Sequence, residues 1–362
     1  MIHRCLASLG ALAAVILVVS LTSGPAASQA PPAAATTQSA AATTWTPPRT
    51  PWGEPDLQGV WRYEGATPLE RPKGFAGREF LTDTEVTERE QAEREVVAKK
   101  LAGGEGVAVG RRPVTESPIV GNEYNSFWQE TGRAKVPSKR TSLIVDPPDG
   151  QIPYTPAARK RQIEQDDIHD GRRYPTPFFY QSWLDLEAEE NCLTHGLPGE
   201  MLRGTGGGGY PILQSPGYVV TIQEAINDRR IIPTDGRPHG NIRGWRGDAV
   251  GRWEGDTLVV ETTNFADKSY YRWSAIWRLP TETLRLVERF RRTDADTLDY
   301  QFTVTDPATL TRPMTVVAPL TKLSVPWLEY ACHEGNYGVP NTLTATRNEE
   351  KAAAEAAKKR PK

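Results

Sequence analysis

From about residue 142 onward, apolar and polar positions alternate in short runs broken at close intervals by turn residues. Ser142–Val145 and Gln151–Tyr154 flank Asp146-Pro147-Pro148-Asp149-Gly150, and Tyr218–Glu224 and Arg230–Pro233 flank Asn227-Asp228. Val250–Trp253 and Thr257–Thr263 flank Glu254-Gly255-Asp256, and Thr283–Arg292 and Leu298–Thr305 flank Thr293-Asp294-Ala295-Asp296. Met314–Leu320 and Trp327–Ala331 complete the series. A period of two marks strands buried on one face. The spacing of the turns predicts an antiparallel meander. No strand–helix–strand spacing is present, which excludes a parallel α/β sheet. So many strands must hide their edges, and closure into a barrel does this best, with a sandwich as the alternative. The fold expected is therefore mainly β, with long N-terminal loops and a peripheral helix. That helix covers Thr82–Lys100: Thr82 or Asp83 can cap it, and Glu85, Glu88 and Glu90 suit its positive end. Its polar composition puts it on the surface. Gly53–Tyr63 reads as a loop entering the first strand, and 103–140 as a long loop around the core.

The N-terminus changes the picture. Arg4 precedes an uncharged apolar run, Cys5–Leu21, and small residues with Pro25 follow. Residues 1–30 therefore read as a cleavable signal peptide. The alternative is a membrane anchor, for which the apolar run is short. Cys5 stands at the start of the run and not after it, so it is not placed as a lipoprotein cysteine. Residues 31–50, rich in Ala, Thr and Pro, form a linker. Residues 51–347 are one domain, and 348–362 a charged tail that is either a short exposed helix or disordered. The mature chain is expected to be exported, periplasmic or secreted, with no membrane span. The 362 residues carry 43 Lys and Arg against 45 Asp and Glu; loss of Arg4 leaves 42 against 45, a net charge of −3. Neither this balance nor any basic stripe points to nucleic acid. No pattern sets an oligomeric state.

Two of the three cysteines, Cys192 and Cys332, survive removal of the leader. In an oxidising compartment such a pair favours a disulfide. Cys332 as a catalytic thiol beside His333 is the alternative, but neighbours on a strand point to opposite faces. Of the five histidines, His169, His195, His239 and His333 lie beyond the leader. His169 lies in a charged, surface-like stretch, and His195 in a loop after Cys192. His239, in Asp235-Gly236-Arg237-Pro238-His239, and His333, in Tyr330–Tyr337, lie where strands end and loops begin. Such positions let a rigid scaffold present reactive groups. Asp235 or Asp248 can orient His239, Glu334 accompanies His333, and Arg237 is the candidate anion stabiliser. Trp245, Tyr330 and Tyr337 are candidate substrate contacts. Trp253, Trp273, Trp277, Trp327 and Tyr270-Tyr271 add aromatics, most of them expected in the core. Gly204–Gly209 fits Gly-x-Gly-x-x-Gly formally, but a strand follows instead of a helix, so it reads as a loop. The chain has no Gly-x-Ser-x-Gly elbow, no phosphate-binding lysine loop and no His-Glu-x-x-His. His195, His239 and His333 with a carboxylate have no metal-ligand spacing, so neither metal nor cofactor is expected.

Four stretches resemble a family of uncharacterised exported proteins of Gram-negative bacteria: Arg140–Gly150 (RTSLIVDPPDG), Asp235–His239 (DGRPH), Gly247–Phe265 (GDAVGRWEGDTLVVETTNF) and Tyr330–Tyr337 (YACHEGNY). The likeness spans nearly all of 51–345. It implies a shared fold and an exported location, and it assigns no reaction. Gly59-Val60-Trp61 is similar to the Gly-x-Trp entry of lipocalin-like barrels, in which the Trp plugs one end. The leading expectation is a cofactor-independent acid–base enzyme, a hydrolase, lyase or isomerase, acting on a small or partly apolar molecule through His239 and His333. The alternative is a non-catalytic protein for an apolar or carbohydrate ligand, with an aromatic and aliphatic interior and the histidines outside. A third possibility is a surface interaction protein with a filled barrel.

Overall fold

The computed structural model describes residues 45–102, 136–169, 180–186, 188–197, 200–202, 209–224, 226–266, 281–324, 327 and 329–359. The expected signal peptide, residues 31–44 of the linker, residues 103–135 of the long loop, Gly204–Gly208, Tyr270, Tyr271, Trp273 and Trp277 lie outside them.

Ten strands form one antiparallel sheet. They are β1 (Gly59–Arg62), β2 (Ile144–Asp146), β3 (Tyr210–Ser215), β4 (Tyr218–Gln223), β5 (Asp228–Pro233), β6 (Asp248–Glu254), β7 (Thr257–Thr263), β8 (Arg285–Arg292), β9 (Thr297–Thr305) and β10 (Met314–Leu323). The order is β5-β4-β3-β1-β10-β9-β8-β7-β6, with β2 added to β10. Around the ring this is chain order: a meander that nearly closes into a nine-stranded barrel. Leu298, Tyr300, Phe302 and Val304 of β9 are fully buried, as are Met314, Val316, Ala318 and Leu320 of β10. Their strand neighbours face outward, as a period of two requires.

Parity sets the relation of the two strands at the open seam. Each pairing along the path is antiparallel. Nine strands that alternate in direction leave the two ends, β5 and β6, pointing the same way. Side-chain contacts agree with this. Arg246, just before β6, lies 3.2 Å from Asp228 at the start of β5. A Cβ on Gly251 of β6 would come within 3.0 Å of Ile232 and Thr234 at the end of β5. A parallel pair needs a connection that runs back along the strands. Here that connection is Thr234–Gly247, the segment containing Asp235–His239.

Trp61 of β1, opposite Lys322 near the end of β10, is fully buried. Its Nε1 donates to Leu57 O at 2.9 Å. The Arg292 guanidinium and the Lys322 ammonium lie over its ring, 5.6 and 5.8 Å from the centroid. Cations on an aromatic face are attracted by its quadrupole.

Several expectations need correction. The linker does not extend to residue 50: Trp45 packs under Arg292, Thr50 is buried, and Arg49 pairs with Asp256 at 2.6 Å. The compact unit begins at Trp45. Ser142–Val145 and Gln151–Tyr154 are not the two arms of a hairpin. β2 pairs with β10 over two residue pairs, and Tyr154 forms an isolated bridge to Leu310 before that strand. The described residues of Trp327–Ala331 form no strand. A second helix, α2 (Pro156–His169), was not expected, since its polar residues form no apolar stripe. Its start was legible: Thr155 Oγ1 accepts from Ala158 N at 3.1 Å, with Pro156 in the first turn. The tail helix α3 (Gly338–Lys358) begins ten residues before 348, so the boundary at 347 falls inside it. The expected helix α1 (Asp83–Ala102) has the Thr82–Glu85 capping box, with Glu85 Oε2 accepting from Thr82 N at 2.8 Å and Thr82 Oγ1 from Glu85 N at 3.3 Å.

Candidate functional site

The crossover carries the first candidate cluster. Asp235 and Arg237 form a two-oxygen pair, with Arg237 Nε 2.9 Å from Oδ1 and 3.0 Å from Oδ2. Arg237 also donates to Tyr218 Oη at 2.7 Å. These bonds push the Arg237 guanidinium up and hold the Asp235 carboxyl down at about 2, with Arg237 the principal cause. Asp235 is thus engaged by Arg237, and Asp248 holds His239. His239 Nδ1 lies 3.0 Å from Asp248 Oδ2, which also accepts from Gly240 N at 2.8 Å. With the Asp248 carboxylate as acceptor, Nδ1–H is the donor of this contact. Nε2 is covered by protein, 3.9 Å from Glu261 Oε1, without a hydrogen-bond partner among the described residues. Arg285 grips Glu261 through both oxygens, at 2.9 and 2.6 Å, and keeps that carboxyl below its usual range.

This cluster faces outward. Ala249 and Gly251 of β6 and Leu258, Val260 and Thr262 of β7 are buried. Asp248 and Glu261 occupy the opposite phase, on the outer wall beside the seam.

The second cluster stands on another support. Cys192 and Cys332 form a disulfide with Cα atoms 5.8 Å apart. Asn336 Nδ2 donates to Glu190 O at 3.1 Å, and a turn follows Cys332. His333 and Glu334 are exposed in that turn, not at the end of a strand. The last strand stops at Leu323. Tyr330 and Tyr337 are 39% and 71% exposed, and Trp245 is half-buried. His195, three residues after Cys192, is buried, with Nδ1 3.6 Å from Glu189 Oε2. Among the described residues no group of three His, Cys, Asp or Glu is placed to hold a metal ion.

A third cluster lies inside the barrel. Arg230 of β5 reaches past β6 to β7 and β8. Its Nη2 is 2.6 Å from Glu288 Oε2 and donates to Thr262 Oγ1. Tyr300 Oη donates to Glu288 Oε1 at 2.9 Å. On β4, Thr221 stands directly opposite Arg230, and Gln223 donates from Nε2 to Tyr210 Oη at 3.3 Å. Arg230, Glu288, Thr221 and Gln223 are each at most 5% exposed. Arg230 Nε and Nη1, Thr221 Oγ1 and Gln223 Oε1 have no hydrogen-bond partner among the described residues. A signal for this cluster did exist in the sequence. Arg230 is in phase with Ile232, and Glu288 with Leu286 and Phe290, so each polar side chain occupies a core position of its strand.

Together these features define a meander barrel with an odd number of strands, whose open seam is bridged from inside by a buried ion pair. No family model, curated protein or solved structure matches the chain.

Proposed function

We propose that the chain is an exported, non-catalytic protein that holds a small molecule inside its barrel. One observation carries this reading: an interior packed with Tyr210, Phe290, Tyr300, Phe302 and aliphatic side chains contains polar atoms without hydrogen-bond partners among the described residues. Buried polar groups are almost always satisfied, and interiors of this mixed kind serve as binding sites. The candidate histidines lie elsewhere, His239 on the outer wall and His333 in an exposed turn. Export is supported by the Cys192–Cys332 bridge, which suits an oxidising compartment. Native mass spectrometry of the protein isolated from a bacterial periplasm tests the reading. A retained small molecule lost on denaturation is expected, and a spectrum of bare protein counts against it.

A second reading, acid–base chemistry at His239 oriented by Asp248, is favoured by their 3.0 Å contact. It requires Glu261 to move off Nε2. Unchanged turnover of an identified substrate by His239→Ala removes it.

A further inference from the structure

We propose that the lobe closed by the Cys192–Cys332 disulfide is a docking surface for a cationic polypeptide segment, whose Lys or Arg side chains lie on the exposed aromatic rings of the lobe among its carboxylates. Binding there does not depend on what the barrel interior holds. Eleven large hydrophobic residues are exposed among those described, and six of them, Trp183, Leu184, Leu193, Trp327, Tyr330 and Tyr337, belong to two short stretches, 183–193 and 327–337. Apolar residues exposed singly are ordinary, whereas such a concentration is the mark of an interaction site. Trp and Tyr are also the side chains that carry binding energy at protein interfaces.

The two stretches are one body. Cys192 and Cys332 join them with Cα atoms 5.8 Å apart, and Asn336, next to Tyr337, donates from Nδ2 to Glu190 O at 3.1 Å. Asn191 donates to Trp183 O at 3.1 Å and to Leu186 O at 3.2 Å, which folds the Trp183 turn back onto the residue before Cys192. Ser182 and Asp185 close a capping box around that turn. Arg347 of α3 donates to Gln181 O at 2.5 Å, so the helix braces it as well. The backbone presenting these side chains is thus ordered before a partner arrives, which lowers the cost of binding.

Charge selects the partner. The described residues of 180–197 and 327–346 include Asp185, Glu189, Glu190, Glu329 and Glu334, and no Lys or Arg. Glu190, Glu329 and Glu334 are exposed. Arg347, at the border of the lobe, is met by both oxygens of Glu350 at 2.7 Å. The whole chain is close to balance, with 43 Lys and Arg against 45 Asp and Glu, so the negative sign is local. Aromatic faces attract cations, Arg above all, and neighbouring carboxylates steer them there. The protein makes the same contact with itself elsewhere: Arg237 lies 5.3 Å from the ring centroid of Tyr218, and Arg140 lies 4.9 Å from that of Phe80. A neutral saccharide stacks on such rings but gains nothing from the negative field.

The probe is a fluorescein-labelled peptide of four Gly-Arg-Leu repeats, followed by fluorescence anisotropy with the disulfide-bonded protein, beside the same peptide with Gln or Glu in place of Arg. The Arg peptide is expected to bind at least about tenfold more tightly than either, a factor that two exposed cation–aromatic contacts supply. Trp183→Ala with Trp327→Ala should weaken it by about tenfold, and Glu329→Gln with Glu334→Gln by about threefold at low salt. Phe80→Ala, an exposed ring outside the lobe, should change nothing. The ranking of the three peptides is read on wild type and does not depend on any variant folding; circular dichroism and a thiol assay check fold and bridge in the variants. Absence of binding by the Arg peptide, or equal binding of all three, overturns the proposal. Full affinity in the folded Trp variant, or an equal loss in Phe80→Ala, overturns the placement on this lobe. Preferential binding of maltohexaose, lost in the Trp variant, overturns the class of partner.

Discussion

Replacing Arg230 with Met tests whether a buried ion pair substitutes for the missing ladder between β5 and β6. The Arg230 side chain is 4% exposed and that of Glu288 1%, with 2.6 Å between Nη2 and Oε2. Removing the guanidinium leaves Glu288 with only the Tyr300 hydroxyl among its described hydrogen-bond partners, in a site closed to water. Breaking a buried pair from one side costs about 3–5 kcal/mol, because the remaining charge is uncompensated. Glu288→Met should cost a similar amount by leaving Arg230 charged and buried. The double variant exchanges two opposed charges for two apolar side chains of similar length. It should lie within about 1–2 kcal/mol of wild type, or above it, since apolar replacement of a whole buried pair is often neutral or stabilising. The coupling energy in the cycle is then at least about 3 kcal/mol. Urea unfolding followed by circular dichroism measures all four proteins. If the two single losses simply add in the double variant, the pair is not a unit and the bridging argument fails.

Other consequences are equally open to measurement. Replacing both Cys192 and Cys332 with Ser frees a loop closed across 140 residues. The chain-entropy model assigns about 4–5 kcal/mol to such a closure, so urea unfolding should show a loss of roughly 2–5 kcal/mol and wild type under reductant should match the variant. No change in midpoint would refute it. Asp235 should titrate at about 2, below the ordinary value of ~3.9 for the unfolded chain. The contribution of its pair with Arg237 is therefore present above pH ~4 and fades as pH falls through about 2; carboxyl NMR should show the midpoint return to the ordinary range in Arg237→Ala. Gly247 has φ +67° and its added Cβ would collide with Thr263 O, whereas Gly255 has φ +61° and nothing within 4 Å. Gly247→Ala should exceed the roughly 1–2 kcal/mol of left-handed strain expected for Gly255→Ala; equal losses by thermal melting would remove the collision as a cause.

Much of the fold was legible because one face of each strand is buried and period two survives in the sequence. Leu298–Thr305 shows this, within a residue of its strand, whereas Thr257–Thr263 has its strand bounds but buries three successive residues, Leu258–Val260. Trp327–Ala331 misled because alternation over five residues also arises in irregular chain, and nothing in it reports whether a partner strand is present. α2 was hidden by its lack of an apolar stripe. The site was harder to see. Sequence reasoning seeks histidines beside carboxylates near turns, which is how His239 and Asp248 were found. A buried Arg–Glu pair offers no such contiguity, since Arg230 and Glu288 sit on strands brought together only when the ring folds. Their phase within each strand was the available signal, and it is a weak one until the inward face of both strands is known.

The count of strands connects these observations. An even number would have let β5 and β6 pair antiparallel through a tight turn, with no crossover between them. With nine, the chain must return along the seam, and Thr234–Gly247 does so. Its polar residues are those that fasten such a segment. Arg237 ties Asp235 to Tyr218 of β4, and Asp248 of β6 takes both His239 and Gly240. Asn264 after β7 donates to Gly240 O at 2.9 Å. The Asp235–His239 motif that first suggested catalysis thus has a sufficient structural role in securing the crossover outside, while Arg230 spans the seam inside. Securing the crossover uses Asp235, Arg237 and Nδ1 of His239 and leaves over only His239 Nε2 of the motif's buried side-chain atoms, whereas the inner bridge leaves Nε and Nη1 of Arg230 over. That surplus, lying against Thr221 and Gln223, is why the interior and not the outer wall is the better place to look for a ligand.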